Sequence, residues 1–307
     1  MISVIVPLYN KRQSIVTTLD SVLSQTYTNF EIIVVDDGST DGSGDIVKSI
    51  QDARIKYYYK ENGGVSSARN FGVGKTQSDL IALLDGDDLW QPEYLEEMMS
   101  LIDMTPEAAL WGSGYAFQHD INGKMDVPDL CISNGFKGYV ENYWSVAKHN
   151  TLFTSSSVII NKNAFNSVGG YNESLVRGED IDLWFRLALK YKVSFVNTPL
   201  VVYRLQAENR SNSNLVDPNK CLIWNLEGYK EYEQTNPNFK QALDGWRMAH
   251  VANCLRGESC EIVDVRPILK DVDLSQHSFI WKILKKMPVC MAHVVYNWYL
   301  NLKIIVR

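Results

Sequence analysis

The stretch Ser78-Asp79-Leu80-Ile81-Ala82-Leu83-Leu84-Asp85-Gly86-Asp87-Asp88-Leu89-Trp90 decides how the rest of the chain is read. Leu80 to Leu84 form an apolar run of the length and type of a fully buried strand. Three carboxylates, Asp85, Asp87 and Asp88, then fall within four residues. Like charges this close repel, and burial sharpens the repulsion. A divalent cation is the usual relief. Hard oxygen ligands at the mouth of a strand, with no Cys or His beside them, suit Mg²⁺ or Mn²⁺ rather than zinc. Mg²⁺ held by one or two carboxylates completes its shell with substrate phosphates. The competing reading is a solvated acidic turn.

Working outward, strands and helices alternate on the N-terminal side. Ile2 to Val6 reads as a strand stopped by Pro7, and residues 13–25 carry Ile15, Leu19, Val22 and Leu23 at helical spacing. Phe30 to Val35 is a second strand, followed by the turn Asp36-Asp37-Gly38-Ser39-Thr40-Asp41-Gly42 and a helix with Ile46, Val47 and Ile50. Ile55 to Tyr59 is a third strand, and a small-residue helix spans Val65 to Val73. Alternation at this interval predicts an α/β fold with a doubly wound, mostly parallel sheet and right-handed crossovers. Ligands in such sheets bind at the carboxyl ends of the strands. The loops Pro7-Leu8-Tyr9-Asn10, Asp36-Asp37-Gly38 and Asp85-Gly86-Asp87 are therefore expected to share one crevice.

Composition bounds the classes. The chain has 307 residues, 45% hydrophobic and 21% charged, which is globular and long enough for one large α/β domain and an appendage. A net charge of −6 argues against nucleic acid as the main partner. The five cysteines, Cys131, Cys221, Cys254, Cys260 and Cys290, are odd in number and form no CxxC pair, which fits a reducing compartment and gives neither a disulfide framework nor a zinc site. The N-terminus enters a strand with no basic n-region, so it does not read as a signal peptide.

Beyond about residue 105 the alternation loosens. Ala108–Phe117 and Ser155–Ile160 read as strands, Gly169-Gly170-Tyr171 as a turn, residues 181–188 as a helix opened by Gly178-Glu179-Asp180, and Leu200–Tyr203 as a last strand. An α/β domain over 1–215 and a helical region over 216–307 follow. The end, Phe279 to Arg307, carries Lys282, Lys285, Lys286, Lys303 and Arg307 and no acid. His293, Asn297 and Asn301 make a narrow polar stripe on an apolar, aromatic-rich helix. That pattern suits a helix lying in a membrane interface, and equally a helix packed on the body. The stripe and Lys303 interrupt the apolar run, against a full span.

Three motifs are decoys. Gly72-Val73-Gly74-Lys75-Thr76 resembles the end of a P-loop, but position 69 is Arg where a glycine is needed, and a helix precedes it. Asp37 to Gly42 resembles an EF-hand opening, but the twelfth position is Lys48. No G-x-G-x-x-G follows a strand. The remaining loops have double readings. Asp36-Asp37 can accept from an N–H of a base such as uracil, or serve as turn and N-cap material. Arg69, on the helix after Asn62-Gly63-Gly64, can meet a phosphate or a base with the backbone donors there, or be a surface ion-pair residue. Glu179-Asp180 at a helix start stay ionised, suiting a general base for an alcohol nucleophile, or a helix cap.

Taken together, Val4-Ile5-Val6-Pro7-Leu8-Tyr9-Asn10, Val34-Val35-Asp36-Asp37-Gly38-Ser39-Thr40-Asp41, Asn62 to Asn70, Asp85-Gly86-Asp87-Asp88 and Gly178-Glu179-Asp180 with Leu183-Trp184-Phe185-Arg186 resemble the ordered motifs of family 2 glycosyltransferases, over roughly residues 1–210. The resemblance implies a GT-A fold, a nucleotide-diphosphate sugar donor, a divalent metal (Mn²⁺ or Mg²⁺) and transfer with inversion. By the same resemblance Asp37, with Asp36 beside it, binds the uracil N–H, Pro7 and Tyr9 line the base pocket, and Arg69 lies against the nucleotide. Asp85 and Asp87 are the DxD pair on ribose and metal, Asp88 orients a sugar, Asp180 is the catalytic base and Glu179 its neighbour. Two departures stand out. Gln206 occupies the place where members often have His after Tyr203-Arg204, leaving Arg204 or Arg210 as diphosphate contacts. The Q-x-x-R-W motif of processive synthases is missing, so the transfer of one sugar is expected. The basic tail suits a polyprenol-diphosphate-linked or other glycan acceptor at the cytoplasmic membrane face, as in O-antigen, capsule or exopolysaccharide assembly. The alternatives are a sugar-1-phosphate nucleotidylyltransferase, which needs a Gly-rich basic loop that Pro7-Leu8-Tyr9-Asn10-Lys11 lacks, and an inactive sugar-binding protein, which does not need Asp85, Asp87 and Asp180.

Overall fold

The computed structural model describes residues 1–120, 123–147, 152–209, 217–256, 264–275, 279–287, 291–292 and 295–296. The chain folds as two compact units, Met1–Val146 with Asn150–Asn212, and Ser213–Arg307 with Ala147–His149.

The first unit begins with β1 (Ile2–Leu8), α1 (Ile15–Leu23), β2 (Phe30–Asp37), α2 (Ser43–Ser49), β3 (Ile55–Lys60), α3 (Val65–Lys75) and β4 (Leu80–Leu83). It continues with β5 (Leu89–Trp90), α4 (Tyr94–Met104), β6 (Ala108–Gln118), β7 (Met125–Asp126), β8 (Lys137–Tyr139), α5 (Tyr143–Ala147), β9 (Val158–Asn161), α6 (Lys162–Ser167), α7 (Glu179–Ala188) and β10 (Lys192–Arg204). The strands form one sheet in the order β3-β2-β1-β4-β9-β6-β10-β5, with β7 on β6 and β8 on β10. β3, β2, β1 and β4 run parallel. β9 then lies antiparallel to both β4 and β6, and β10 parallel to β6. The uniformly parallel arrangement ends after β4, where the regular strand–helix alternation of the sequence also ends.

The parallel half explains its own sequence. β1 is buried at all seven positions and β2 at all eight, so both faces of this part of the sheet are covered, with α3 packed against β1 and β2. The small residues of α3 let it lie close on the sheet. A Cβ at Gly72 would stand 2.5 Å from Ile5 Cγ2 and 3.2 Å from Val35 Cγ2. Pro7 does not stop β1 but pairs with Val35 inside it. Leu84 N–H donates to Ile5 O, so the main chain of Ile5, and two residues on of Pro7, faces β4. The β4 ladder ends at Ile5–Leu83, so the missing Pro N–H has no ladder bond to lose.

Two later elements differ from the sequence pattern. Ser155–Ser157 is a 3₁₀ turn in which Ser157 Oγ accepts from Thr154 N–H at 3.0 Å, and the strand starts at Val158. β10 is thirteen residues long, not four. Its register shifts around Pro199, so Asn197-Thr198-Pro199 bends a strand that it would ordinarily break.

In the second unit the described residues form 3₁₀ turns and the helices α8 (Lys230–Thr235), α9 (Pro237–Arg256), α10 (Arg266–Lys270) and α11 (Phe279–Leu284). Leu284, Ala292 and Tyr296 of the tail are buried in one cluster with Val251, Leu255 and Leu269, while Phe279 is 74% exposed. Among the described residues no helix is long and apolar enough to cross a membrane. The polar stripe of His293, Asn297 and Asn301, with Lys303 and Arg307, lies outside the described residues.

Candidate active site

The parallel register sets the carboxyl ends of β1, β2 and β4 side by side, with Leu8 opposite Asp36 and Ile5 opposite Leu83. The loops beyond them are tied together. Asn10 N–H donates to Ser39 Oγ at 3.0 Å, and Asn10 Oδ1 accepts from Thr40 N–H at 2.8 Å. Pro7 is buried within β1, and Tyr9 beyond it is 41% exposed.

Asp36 and Asp37 are both buried and both engaged. Asp36 accepts from Ser39 N–H at 2.8 Å and from the Tyr57 hydroxyl at 2.6 Å. Asp37 accepts from Lys60 Nζ at 2.6 Å and from the N–H groups of Gly63 and Gly64 at 3.0 and 2.8 Å. Asp37 thereby fixes the turn that leads into α3, and a carboxylate has room for a further donor on Oδ2. Asp36 ties its strand end to β3.

Arg69 joins the middle of the chain to α7. It is 2% exposed, so it is not a surface ion-pair residue. Its Nη2 lies 2.6 Å from Asp85 Oδ1 and its Nη1 3.5 Å from Glu179 Oε1. Its guanidinium sits over the Tyr171 ring at 5.0 Å. Burial opposes its charge, but Asp85, Tyr171 and Glu179 outweigh that and hold its pKa above the ordinary value. The next residue, Asn70, brackets the main chain of Tyr171. Its Nδ2 donates to Tyr171 O and its Oδ1 accepts from Tyr171 N–H, each at 2.9 Å. The turn Gly169-Gly170-Tyr171 is thus built to face α3, and a Cβ at Gly170 (φ +68°) would meet Asn70 Oδ1 at 2.8 Å.

The three carboxylates after β4 occupy different environments. Asp85 is partly open and takes Arg69 on one oxygen. Asp87 accepts from Lys11 Nζ at 2.6 Å on Oδ2. Asp88 is 2% exposed and accepts from Ser156 Oγ at 2.5 Å and from Arg204 N–H at 3.2 Å. Ser156 Oγ also accepts from Asp85 N–H at 3.1 Å, so one hydroxyl sets both ends of the acidic loop. Burial pushes the Asp88 carboxyl well up, with Asp87 and Asp85 adding to it. Burial likewise raises Asp87, with Lys11 pulling the other way. The Arg204 guanidinium donates to Asp87 O and to the Thr17 and Thr18 hydroxyls. Arg210 lies outside the described residues.

α7 starts at Glu179, after Gly178 in the left-handed conformation (φ +80°). A helix N-terminus by itself favours ionised carboxylates. Here burial wins: it raises Glu179 to about 7, with Asp180 next to it adding to the rise, and it raises Asp180 against the Ile181 N–H and Arg69. Asp180 Oδ1 accepts from Ile181 N–H at 2.7 Å. Two polar atoms beside this pair, Tyr171 Oη and Arg69 Nε, are buried without a hydrogen-bond partner among the described residues.

A divalent ion fits the open face. Asp85 and Asp87 each keep one carboxylate oxygen clear of their ion pairs, and both are hard donors. Asp88 does not fit as a ligand, since both of its oxygens are engaged inside the protein. Among the described residues no group of three or more His, Cys, Asp or Glu is arranged to hold a metal. A Mg²⁺-type site that shares substrate phosphates needs only one or two carboxylates.

Lys11, Ser156 and Tyr171 carry no role in the sequence pattern. Lys11 follows the first loop directly, and that adjacency is its one signal. Nothing local marks Ser156 among Ser155-Ser156-Ser157; only the sheet order, which puts β9 beside β4, brings it under the acidic loop.

A family model described as glycosyl transferase family 2 matches residues 3–173, more than half of the chain. The chain is 32% identical over 216 residues to the glycosyltransferase GlyG of Streptococcus pneumoniae serotype 4, covering 66% of this chain and 70% of that one. It is 31% identical over 245 residues to an uncharacterized glycosyltransferase of Rickettsia conorii, covering 73% of this chain. There the chain spans only 37% of the relative's length. Among solved structures it superposes on S. aureus TarS 1-349 in complex with UDP-GlcNAc with a TM-score of 0.68 at 17% identity, covering 98% of this chain and 91% of that one. That likeness shows a shared fold.

Proposed function

Because the chain belongs to glycosyl transferase family 2, we propose that it moves one sugar from a nucleotide-diphosphate sugar to a hydroxyl of a glycan acceptor, with inversion at the anomeric carbon. One observation carries the reading. Arg69 bridges Asp85 of the acidic loop and Glu179 beside Asp180, which gathers the donor-side carboxylates and the candidate base around one buried guanidinium.

In this reading Asp37, at the carboxyl end of β2, receives the N–H of the base, and Tyr9 stacks on its face. Asp85 and Asp87 would hold a divalent cation, which when bound would offset the charge of the leaving diphosphate. Asp180 takes the proton of the acceptor hydroxyl, aided by the upward shift that burial gives it. The acceptor oxygen bonds to the anomeric carbon as the bond from that carbon to the phosphate oxygen breaks. The electron pair leaves with the diphosphate, and the single displacement inverts the centre. Tyr171 and Glu179 hold Arg69, and Ser156 and Arg204 hold Asp88 and with it the loop. A UDP-sugar is the favoured donor, since Asp37 suits a uracil N–H and the structural neighbour TarS was solved with UDP-GlcNAc. The basic side chains Lys282, Lys285 and Lys286 favour an acceptor at a membrane surface, although the buried Leu284, Ala292 and Tyr296 are committed to the second unit's core. A sugar-1-phosphate nucleotidylyltransferase has less support, because no glycine-rich basic loop follows β1.

The test is a thermal-shift panel of UDP, GDP, CDP and TDP with and without Mn²⁺. A ligand of the folded state raises the melting temperature by mass action. A Mn²⁺-dependent shift with UDP alone is expected. No shift with any diphosphate would remove the donor site and return the chain to the class of non-catalytic binding proteins.

A further inference from the structure

Lys11, just beyond β1, is after Arg69 the second cation to meet the acidic loop, and its surroundings are unusual for a lysine. The side chain is 11% exposed and its Asp87 partner 14%. Besides Asp87 Oδ2 at 2.6 Å, its ammonium donates to Glu208 O at 2.6 Å and to Asn209 O at 3.1 Å. Three N–H groups therefore meet three oxygens, and the ammonium has no donor left over.

The two carbonyls are themselves fixed. The Glu208 carboxylate accepts from the N–H groups of Gln13 and Ser14, each at 3.0 Å, and from Ser14 Oγ at 2.5 Å. Asn209, in the left-handed conformation (φ +48°), donates from Nδ2 to Tyr9 O at 3.0 Å. Lys11 is thus held against Asp87 by a three-oxygen cage rather than by a loose surface ion pair. Arg204 adds a second positive group, on the main-chain oxygen of Asp87. Arg69 neutralises Asp85 in the same way. Each open carboxylate of the loop already faces a protein cation.

We infer that Lys11 is a built-in counter-cation of Asp87 that keeps the free protein from retaining a divalent ion, so that metal and nucleotide diphosphate are taken up together. A divalent ion arriving alone meets an aspartate whose charge is already matched and an ammonium that repels it. A diphosphate brings the missing negative charge, to the ion and to Lys11 alike. Binding of each then favours the other by the same factor, as linkage requires. Lys11 is in this account a positioning and selectivity residue, acting on the ion through Asp87. The inference rests on the donor-site reading above.

The experiment titrates the full chain with Mn²⁺ alone, and with Mn²⁺ in the presence of UDP, following free Mn²⁺ by electron paramagnetic resonance. The wild type is expected to bind Mn²⁺ alone weakly and at least tenfold more tightly with UDP. Lys11→Met is expected to bind Mn²⁺ alone at least tenfold more tightly than the wild type, with reduced coupling to UDP. Lys11→Gln, which keeps a donor for the two carbonyls without the charge, gives the same gain and covers a failure of the Met variant to fold. Lys11→Arg keeps the charge and stays like the wild type. Adding Asp87→Asn to Lys11→Met removes the gain, which places the ion at that carboxylate. A purely structural Lys11 would lower the melting temperature without raising Mn²⁺ affinity. Unchanged Mn²⁺ affinity in both neutral variants, with UDP still bound in a Mn²⁺-dependent way, would overturn the inference and leave the function standing. Absence of UDP binding in every variant, the wild type included, would overturn the function and the inference with it.

Discussion

Replacing Arg69 by Met removes the group that joins the two halves of the candidate site. The guanidinium is 2.6 Å from Asp85 and 3.5 Å from Glu179. At an effective dielectric of about 20, Coulomb's law gives about 6 and about 5 kcal/mol for those separations. Desolvation of the buried guanidinium takes back much of that sum. Water also screens Asp85, whose side chain is 28% exposed, so its share is reduced further. Removing one partner of a buried pair leaves an uncompensated charge and costs about 3–5 kcal/mol, the expected loss for Arg69→Met at pH 8. Arg69→Lys is not conservative, because one ammonium does not span both carboxylates. The loss depends on pH. Glu179 already titrates near 7 through burial and Asp180, and without Arg69 its pKa moves higher. A carboxyl raised above its unfolded value gives stability that is whole below the unfolded pKa and is lost as pH rises through the folded one. The Arg69→Met deficit is therefore smaller at pH 5.5 than at pH 8. Urea unfolding at both pH values measures it. A deficit below about 1 kcal/mol at pH 8, or equal deficits at the two pH values, would refute the bridging role.

In the wild type the same carboxyl, raised from 4.5 to about 7, removes about 2 kcal/mol of stability between pH 5.5 and pH 8, part of the full shift at 1.36 kcal/mol per pKa unit. Glu179→Gln should flatten that slope in the same urea series, and an unchanged slope would show that other groups carry it. Ser156→Ala deprives buried Asp88 of a donor and Asp85 N–H of its acceptor, for an expected loss of about 2–4 kcal/mol and weaker UDP binding by calorimetry. A variant as stable as the wild type would remove Ser156 as the support of the acidic loop. Gly72→Ala drives a Cβ to 2.5 Å from Ile5 and should cost about 1–3 kcal/mol by overpacking, visible as a lower melting temperature.

Much of the first unit is legible in the sequence, for a physical reason. Parallel strands covered on both faces read as unbroken apolar runs, so β1, β2 and β4 stand out, and the loops at their carboxyl ends follow from the sheet rule. Pro7 reads as a stop only because the local rule does not know that the β4 ladder has already ended beside it. β10 reads as a four-residue strand because Asn197-Thr198-Pro199 carries turn chemistry that the sheet absorbs as a shift of register. The acidic loop and Glu179-Asp180 announce themselves as charge at strand and helix ends. What holds them does not. Ser156 is one of three consecutive serines, and Lys11 and Tyr171 become informative only through partners 76 and 102 residues away in the chain, at Asp87 and Arg69. Sequence distance hides such contacts, because no local period links their two ends. The ionisation of Glu179 and Asp180 is hidden for the same reason. The helix end favours the charged form, and burial by distant elements reverses it.

The central claim, inverting transfer with Asp180 as base, is tested most directly by NMR of an α-linked UDP-sugar incubated with the full chain and Mn²⁺, water standing in for the acceptor. The account predicts slow release of UDP in which the first free sugar is the β anomer, with release lost in Asp180→Asn although that variant still binds UDP. The α anomer appearing first, or full release by Asp180→Asn, would contradict it.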